Sequence, residues 1–328
     1  MERPDAGPAR TMISGGTSSQ PGPTRKTLLS SPPAGPDLAL VGAARSGTSA
    51  LAALLSTHPN IDPGKIKEPN YFSWRNNRGP QWYENLYQPR RAGLFRLDAS
   101  TSYTSSKYPE ALDRLAAAAP GCQVVYAVRR PSDRALSHYL LRHHYFHNDE
   151  ARDFGAGLAA GAFYLEVGDY SRWLSALSER FGAERVLVVP FELVTSEAAD
   201  VAAVICREAG LQAAPGEPAP SERHRNNVVQ YRNVLTRRAA QRLRASKAYP
   251  ALRSSLGPGR MRRARDLLTR KAPLPSREEA LATCSDQQRE ALCRLDERAA
   301  AAALEVLRRQ DARLGLQWVE RSFAHTDG

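Results

Sequence analysis

Between an apolar run and a helix-like run lies Gly42-Ala-Ala-Arg45-Ser46-Gly47-Thr48-Ser49. Glycines let backbone N–H groups turn toward a ligand, and a helix N-terminus favours negative charge. Arg45 adds a forked donor suited to phosphate, and Thr48 and Ser49 add hydroxyls. The spacing Gly42-x-x-x-x-Gly47 is that of a phosphate-binding P-loop, yet Thr48 stands where that loop carries its lysine. No convincing strand-end aspartate presents itself for magnesium. The pattern therefore favours an anion-binding loop over a magnesium-dependent nucleotide hydrolase.

A second basic stretch, Arg129-Arg130-Pro131-Ser132-Asp133-Arg134-Ala-Leu-Ser137, follows another apolar run. Arg129 falls at a strand end, where open α/β sheets bind ligands. Arg134 and Ser137 are three apart on the helix that Pro131 opens, so they share a face. Two basic strand ends in one sheet imply a ligand with two separate phosphate groups.

The elements that must position these residues are legible in the pattern. Leu38–Val41, Gln123–Val128 and Arg185–Pro190 read as buried strands, and Leu94–Asp98 as a short one. Helices are expected over Ser49–Ser56, Tyr108–Ala119, Arg130 to about His147, Tyr164–Phe181 and Ala198–Ala209. Tyr170, Trp173, Leu174 and Leu177 form the apolar stripe of the fourth. Strands separated by helices argue for a three-layer α/β sandwich with a central, mostly parallel sheet. Arg-rich helices over Thr236–Lys247 and Arg260–Leu268 and terminal helices over 276–313 complete the pattern. Residues 1–36, rich in Gly, Pro, Ser and Thr, read as a disordered tail. A single domain is expected over 37–320, with a short tail at 321–328.

The bulk numbers bound the rest. The chain has 328 residues, 42% apolar and 24% charged, as soluble globular proteins do. Its net charge of +12 suggests anionic ligands, nucleic acid or anionic membrane without choosing among them. The four cysteines form no C-x-x-C pair, which disfavours a disulfide scaffold or structural zinc. No apolar run is long enough for a membrane span, and no signal peptide is evident, so the cytoplasm is the expected compartment.

The two anion motifs together resemble those of sulfotransferases that use 3'-phosphoadenosine 5'-phosphosulfate. Gly42–Leu51 resembles that family's 5'-phosphosulfate loop, and RRPSDRALS at 129–137 its 3'-phosphate motif; LVVPFELV at 187–194 resembles a later strand and loop. The resemblance implies that Arg45 contacts the bridge to sulfur and stabilises the leaving phosphate. It implies that Ser46, Gly47, Thr48 and Ser49 bind the 5'-phosphate, and Arg129 and Ser137 the 3'-phosphate. RHRNNVVQYRN at 223–233 resembles a loop that closes over the nucleotide, which offers Arg225 and Asn227 as further contacts. The product would be adenosine 3',5'-bisphosphate.

Three side chains compete as general base. Lys67-Glu68-Pro69-Asn70-Tyr71-Phe72 resembles a segment of heparan-type sulfotransferases in which the glutamate is the base and the lysine lies near the sulfate. Asp98, in a segment resembling the one that approaches the acceptor, is the rival. A buried Asp98 paired with Arg45 or Lys67 is an equal alternative. His138, beside Ser137, is the third. His143 and His147 have a zinc-compatible spacing but no evident third ligand, so no metal is expected. Tyr71, Phe72, Trp74 and Trp82 offer aromatic walls or core. The expected acceptor is a hydroxyl of a small or amphipathic molecule, and the alanine- and arginine-rich composition hints at natural-product tailoring. The rivals are a magnesium-dependent nucleotide phosphotransferase and, through the basic 223–265 region, a nucleic-acid binder; the missing lysine and the absence of a known nucleic-acid module count against them.

Overall fold

A computed structural model describes residues 35–146, 151–161, 163–211, 229–231, 234–246 and 274–323, with short pieces between 248 and 271. Of the expected tails at 1–36 and 321–328, residues 1–34 and 324–328 lie outside the described residues, as do Arg225, Asn227 and His147, whereas 35–36 are buried and 321–323 belong to the helix Trp318–Phe323.

The core is a five-stranded, wholly parallel sheet in the order β2-β3-β1-β4-β5. Its strands are β1 (Leu38–Gly42), β2 (Ile61–Asp62), β3 (Phe95–Asp98), β4 (Gln123–Val128) and β5 (Val186–Pro190). Every residue of β1, β4 and β5 is buried, because helices cover both faces of a parallel sheet. The near-continuous apolar runs of these strands record that double cover. β2 went unforeseen: two residues carry no periodicity.

The connection from β1 runs through α1 (Thr48–Leu55) to the β2 edge, then returns to β3 beside β1. The next connection, through α3 (Ala111–Ala118), crosses to β4 on the other side of β1. Strand order thus reverses between β1 and β4, which is where an open α/β sheet leaves a crevice at its carboxyl ends. Right-handed crossovers in opposite directions place α1 and α3 on opposite faces. α1 packs on α9 (Ala198–Glu208), while α3 packs on α7 (Tyr170–Phe181). The long helix Asp286–Leu314 lies along α7 and along α4 (Pro131–Leu140). Its Gln310 accepts from the Val188 N–H at 2.7 Å and donates to the Val188 carbonyl at 2.9 Å, occupying the free edge of β5.

Two helices are shorter than the periodicity suggests. α4 ends at Leu140 and passes into a π-helical turn over Leu141–Phe146. The expected helix over Tyr164–Phe181 is broken at 167–169 into α6 (Phe163–Glu166) and α7. The break brings α6 against α4, and Gly168 permits it: a Cβ there would meet Pro131 Cβ at 3.0 Å. Tyr170, Trp173, Leu174 and Leu177 are buried on α7 as the stripe requires.

Gly42, the last residue of β1, is the closest fit in the sheet. A Cβ there would lie 2.3 Å from Thr104 Oγ1 and 2.6 Å from the Tyr126 ring. Gly42→Ala is expected to lower the unfolding free energy by about 1–3 kcal/mol, the usual range for overpacking. Urea denaturation measures it; an unchanged midpoint would show that Thr104 and Tyr126 yield freely.

Candidate functional site

The first anion motif forms the turn from β1 into α1. Arg45 and Gly47 have φ of 76° and 85°. Glycine takes that conformation freely; arginine takes it at a cost of order 1 kcal/mol, and such strain concentrates at functional sites. A Cβ on Gly47 would approach Val194 Cγ1 to 2.8 Å, so the loop needs glycine twice over. No side chain caps the N-terminus of α1, and no acidic residue stands in its first turn. Its first N–H groups are therefore open to an anion.

The second motif closes on the first. Arg45 Nε donates to Ser137 Oγ at 3.1 Å, across 92 residues of sequence. Arg129 Nη1 donates to the Arg45 carbonyl at 3.3 Å, and Arg134 Nη1 to the Ala44 carbonyl at 3.5 Å. Arg134 also donates to the Tyr164 carbonyl, which the break before α7 presents. The Arg129 guanidinium sits 4.4 Å over the Phe191 ring. Its backbone is pinned by the Tyr170 hydroxyl, which donates to the Arg129 carbonyl at 2.6 Å and accepts from its N–H at 3.1 Å.

Three arginines thus share one crevice. Among the described residues none of them pairs with a carboxylate within 4.0 Å. Burial, then the charges of Arg129 and Arg134, pull the Arg45 guanidinium down to about 10, so it stays charged at neutral pH. Burial lowers Arg129 and Arg134 as well. Ser46 Oγ is fully buried with no hydrogen-bond partner, although it lies close enough to Tyr170 to influence that hydroxyl. Unpaired buried cations beside an orphaned hydroxyl fit an anionic ligand that supplies the missing acceptors.

The three base candidates stand in different surroundings. Asp98 is fully buried and accepts from Ser100 Oγ at 2.6 Å, Tyr103 Oη at 2.7 Å and Tyr83 Oη at 3.0 Å. These hydroxyls, not Arg45 or Lys67, are its partners. Burial still outweighs them and raises its carboxyl to about 6. His138 is driven down to about 2 by burial and then by Arg134, Arg45, Arg142 and Lys107. Arg134 Nη1 lies 3.3 Å from His138 Nδ1. A guanidinium only donates, so Nδ1 is the acceptor and the ring proton sits on Nε2. Glu68 is part-exposed, with φ of 56°, and Lys67 Nζ donates to its carboxylate at 2.7 Å. Lys67, Glu68 and Ser49 line one cavity of about 310 Å³, walled by Ile66, Leu97 and Ala99. Side chains alternate along β3, so Leu97 and Ala99 face this cavity while Asp98 faces the tyrosines behind it.

Among the described residues no group of three His, Cys, Asp or Glu is placed to hold a metal. Tyr71 and Phe72 are core, Tyr71 stacked on Tyr83 and Phe72 edge-on to Tyr103, whereas Trp74 is exposed beneath the Arg75 guanidinium.

Arg134, Tyr170, Phe191 and Asp296 complete the site although their residue types did not single them out as ligand contacts. Arg130 caps α4 with no side-chain acceptor. Asp296, from the long helix, accepts instead from Ser132 N at 2.8 Å and Ser132 Oγ at 2.7 Å. A cap supplied from 164 residues away leaves no local signature.

A wholly parallel sheet flanked by helices, with a cationic crevice at its switch point, defines an open-sheet α/β protein. The chain belongs more narrowly to the sulfotransferase domain family, whose model matches residues 35–237, and is thus an enzyme of that family. A sulfotransferase from Alicyclobacillus acidocaldarius is similar in structure, with 26% identity, a TM-score of 0.50, and coverage of 66% of this chain and 95% of that one. A human heparan sulfate glucosamine 3-O-sulfotransferase 6 is 32% identical over 104 residues, 32% of this chain and 30% of the relative. A bifunctional heparan sulfate N-deacetylase/N-sulfotransferase 1 of Caenorhabditis briggsae is 31% identical over 122 residues, 35% of this chain and 14% of the relative. The matched stretch spans less than a third of either relative.

Asp98 sets a pH dependence of stability. Its pKa is raised from 3.8 to about 6 on folding, so the folded chain binds the proton more tightly. The stability this gives is fully present below about pH 4 and is lost as the pH rises through about 6. Asp98→Asn is expected to remove that falling component, on the order of 3 kcal/mol, from a pH series of denaturation curves. An identical slope in wild type and variant would show that Asp98 does not titrate in this range.

Proposed function

We propose that the protein transfers a sulfuryl group from 3'-phosphoadenosine 5'-phosphosulfate to a hydroxyl of a small-molecule, glycolipid or natural-product acceptor. The observation that carries this reading is the meeting of Arg45, Arg129 and Ser137 at the β1/β4 crevice without a neutralising carboxylate. A ligand with phosphate on both the 3' and the 5' oxygen of its ribose answers that charge at two points. The heparan sulfate 3-O-sulfotransferase among the relatives is consistent with hydroxyl chemistry.

Ser46, Gly47, Thr48 and Ser49 hold the 5'-phosphate at the start of α1; Arg129 and Ser137 hold the 3'-phosphate. The bound donor supplies a sulfuryl group attached to a phosphate leaving group. The acceptor oxygen attacks sulfur as the bond to the 5'-phosphate oxygen breaks, and the electron pair departs on that oxygen. Arg45 neutralises the charge developing there, aided by its fixed, desolvated position. The acceptor proton passes to Glu68, which shares a cavity with Ser49, and Lys67 orients that carboxylate through their 2.7 Å contact. The reading favours Glu68 because the alternatives are engaged: Asp98 takes three hydroxyl donors, and His138, with Nδ1 facing Arg134, is driven down to about 2 by burial and then by four neighbouring cations, which makes it a poor proton acceptor.

Calorimetric titration tests donor recognition. Adenosine 3',5'-bisphosphate is expected to bind in the micromolar range without magnesium, and Arg129→Ala to weaken it at least tenfold, the equivalent of about 1.4 kcal/mol. Preference for ADP with magnesium would overturn the reading in favour of a phosphotransferase.

Kinetics separates the catalytic roles. Glu68→Gln is expected to lower kcat about 10²–10⁴-fold with bisphosphate affinity unchanged, and Arg45→Ala to lower kcat about 10²–10³-fold. Near-normal turnover by Glu68→Gln in an acceptor screen would remove Glu68 as the base.

A further inference from the structure

The charge of this chain is unevenly placed. Residues 223–271 contain fifteen Arg or Lys and a single acidic residue, Asp266, so this stretch carries +14 while the rest carries −2, giving the overall +12. Most of it lies beyond residue 237, where the family match ends. None of its described residues is among those assigned to the donor above.

The same stretch exposes leucine. Leu235 and Leu267 are each 75% exposed, and Leu243 and Leu268 are 43% and 40% exposed. Leu235, Ala239 and Leu243 recur every four residues on the helix Val234–Ala245, and all three face solvent. They form one apolar stripe, flanked by the exposed Arg238 and Arg242, which have no ion pair among the described residues. The antiparallel strands β6 (Val229–Tyr231) and β7 (Thr269–Lys271) gather these parts. Tyr231 pairs with Thr269, so the helix bearing Leu235 leaves the ribbon at the end where Leu267 and Leu268 enter it. The ribbon rests on the turn that follows α4.

We propose that Leu235, Arg238, Arg242, Leu243, Leu267 and Leu268 dock the protein on an anionic lipid surface. An apolar stripe edged by arginine is the signature of a helix lying in a membrane interface: leucine enters the acyl boundary and arginine meets the headgroups. Each basic residue near an anionic leaflet strengthens partitioning roughly fivefold, the equivalent of about 1 kcal/mol. The leucines decide against a polyphosphate partner such as nucleic acid, because counterion release needs arginine and gains nothing from exposed Leu235 and Leu243. No described helix is long and apolar enough to cross a membrane, so this contact is peripheral. It is independent of the donor assignment and would place the α4 side of the molecule near lipid.

Vesicle co-sedimentation of the full chain tests it, with phosphatidylcholine alone and with one-third phosphatidylserine, in roughly 0.15 M salt, where surface charge acts over about 8 Å. The expected result is binding to the anionic vesicles only, weakened at least tenfold in a Leu235→Ser, Leu243→Ser double variant. These side chains are exposed, so the variant is expected to keep the wild-type melting temperature and bisphosphate titration. Failure to bind anionic vesicles overturns the proposal, and so does binding that the leucine changes leave untouched. A duplex DNA control distinguishes the alternative: DNA binding stronger than vesicle binding, with a steep salt slope and no leucine dependence, would assign the surface to nucleic acid. Loss of bisphosphate binding in wild type would strike the donor reading and leave this one standing.

Discussion

The site is organised around positive charge that the protein itself does not neutralise. Arg45, Arg129 and Arg134 converge at one strand-end crevice, and burial, then the charges of the other two, lowers the Arg45 guanidinium to about 10. Such a cluster persists only if the surrounding structure holds it in place. Carbonyls do much of that holding: Arg129 donates to Arg45 O, and Arg134 to Ala44 O and Tyr164 O. Neutral acceptors satisfy the N–H groups without cancelling the charge, so the crevice stays attractive to an anion.

Much of the remaining architecture serves to keep those arginines where they are. The break between α6 and α7 delivers the Tyr164 carbonyl and frees Tyr170 to pin the backbone of Arg129. The long C-terminal helix, beyond the family match at 237, caps α4 through Asp296 and closes the β5 edge through Gln310. It therefore buttresses the second anion motif and the sheet edge next to β4, the strand that Arg129 follows. Removing its carboxylate would expose Ser132 N–H at the start of the helix that carries Arg134 and Ser137.

Two carboxylates near the crevice are separated by the alternation of a single strand. Asp98 points to the face lined by Tyr83 and Tyr103, where burial raises its carboxyl to about 6. Glu68 instead stands at a part-exposed cavity wall, on a left-handed backbone residue, with Lys67 beside it. Chemically similar groups are thereby enclosed among hydroxyls in one case and set at the wall of an open cavity in the other.

The sequence by itself determined the central strands, though not β2, because buried parallel strands must be apolar throughout and Leu38–Val41 and Gln123–Val128 are. It also determined both anion motifs, because glycine spacing and clustered arginines are local properties. Composition placed the excess charge in 223–271, though it could not say that Leu235 and Leu243 face solvent. Only the tertiary structure decided that Arg45 reaches Ser137, that Arg134 joins the crevice, and that Asp296 caps α4, since each contact joins residues whose separation erases local pattern. It likewise decided which acids are enclosed. An aspartate at a strand end reads the same in sequence whether it faces a cavity or a tyrosine cluster, and the direction of that side chain depends on how the strand packs.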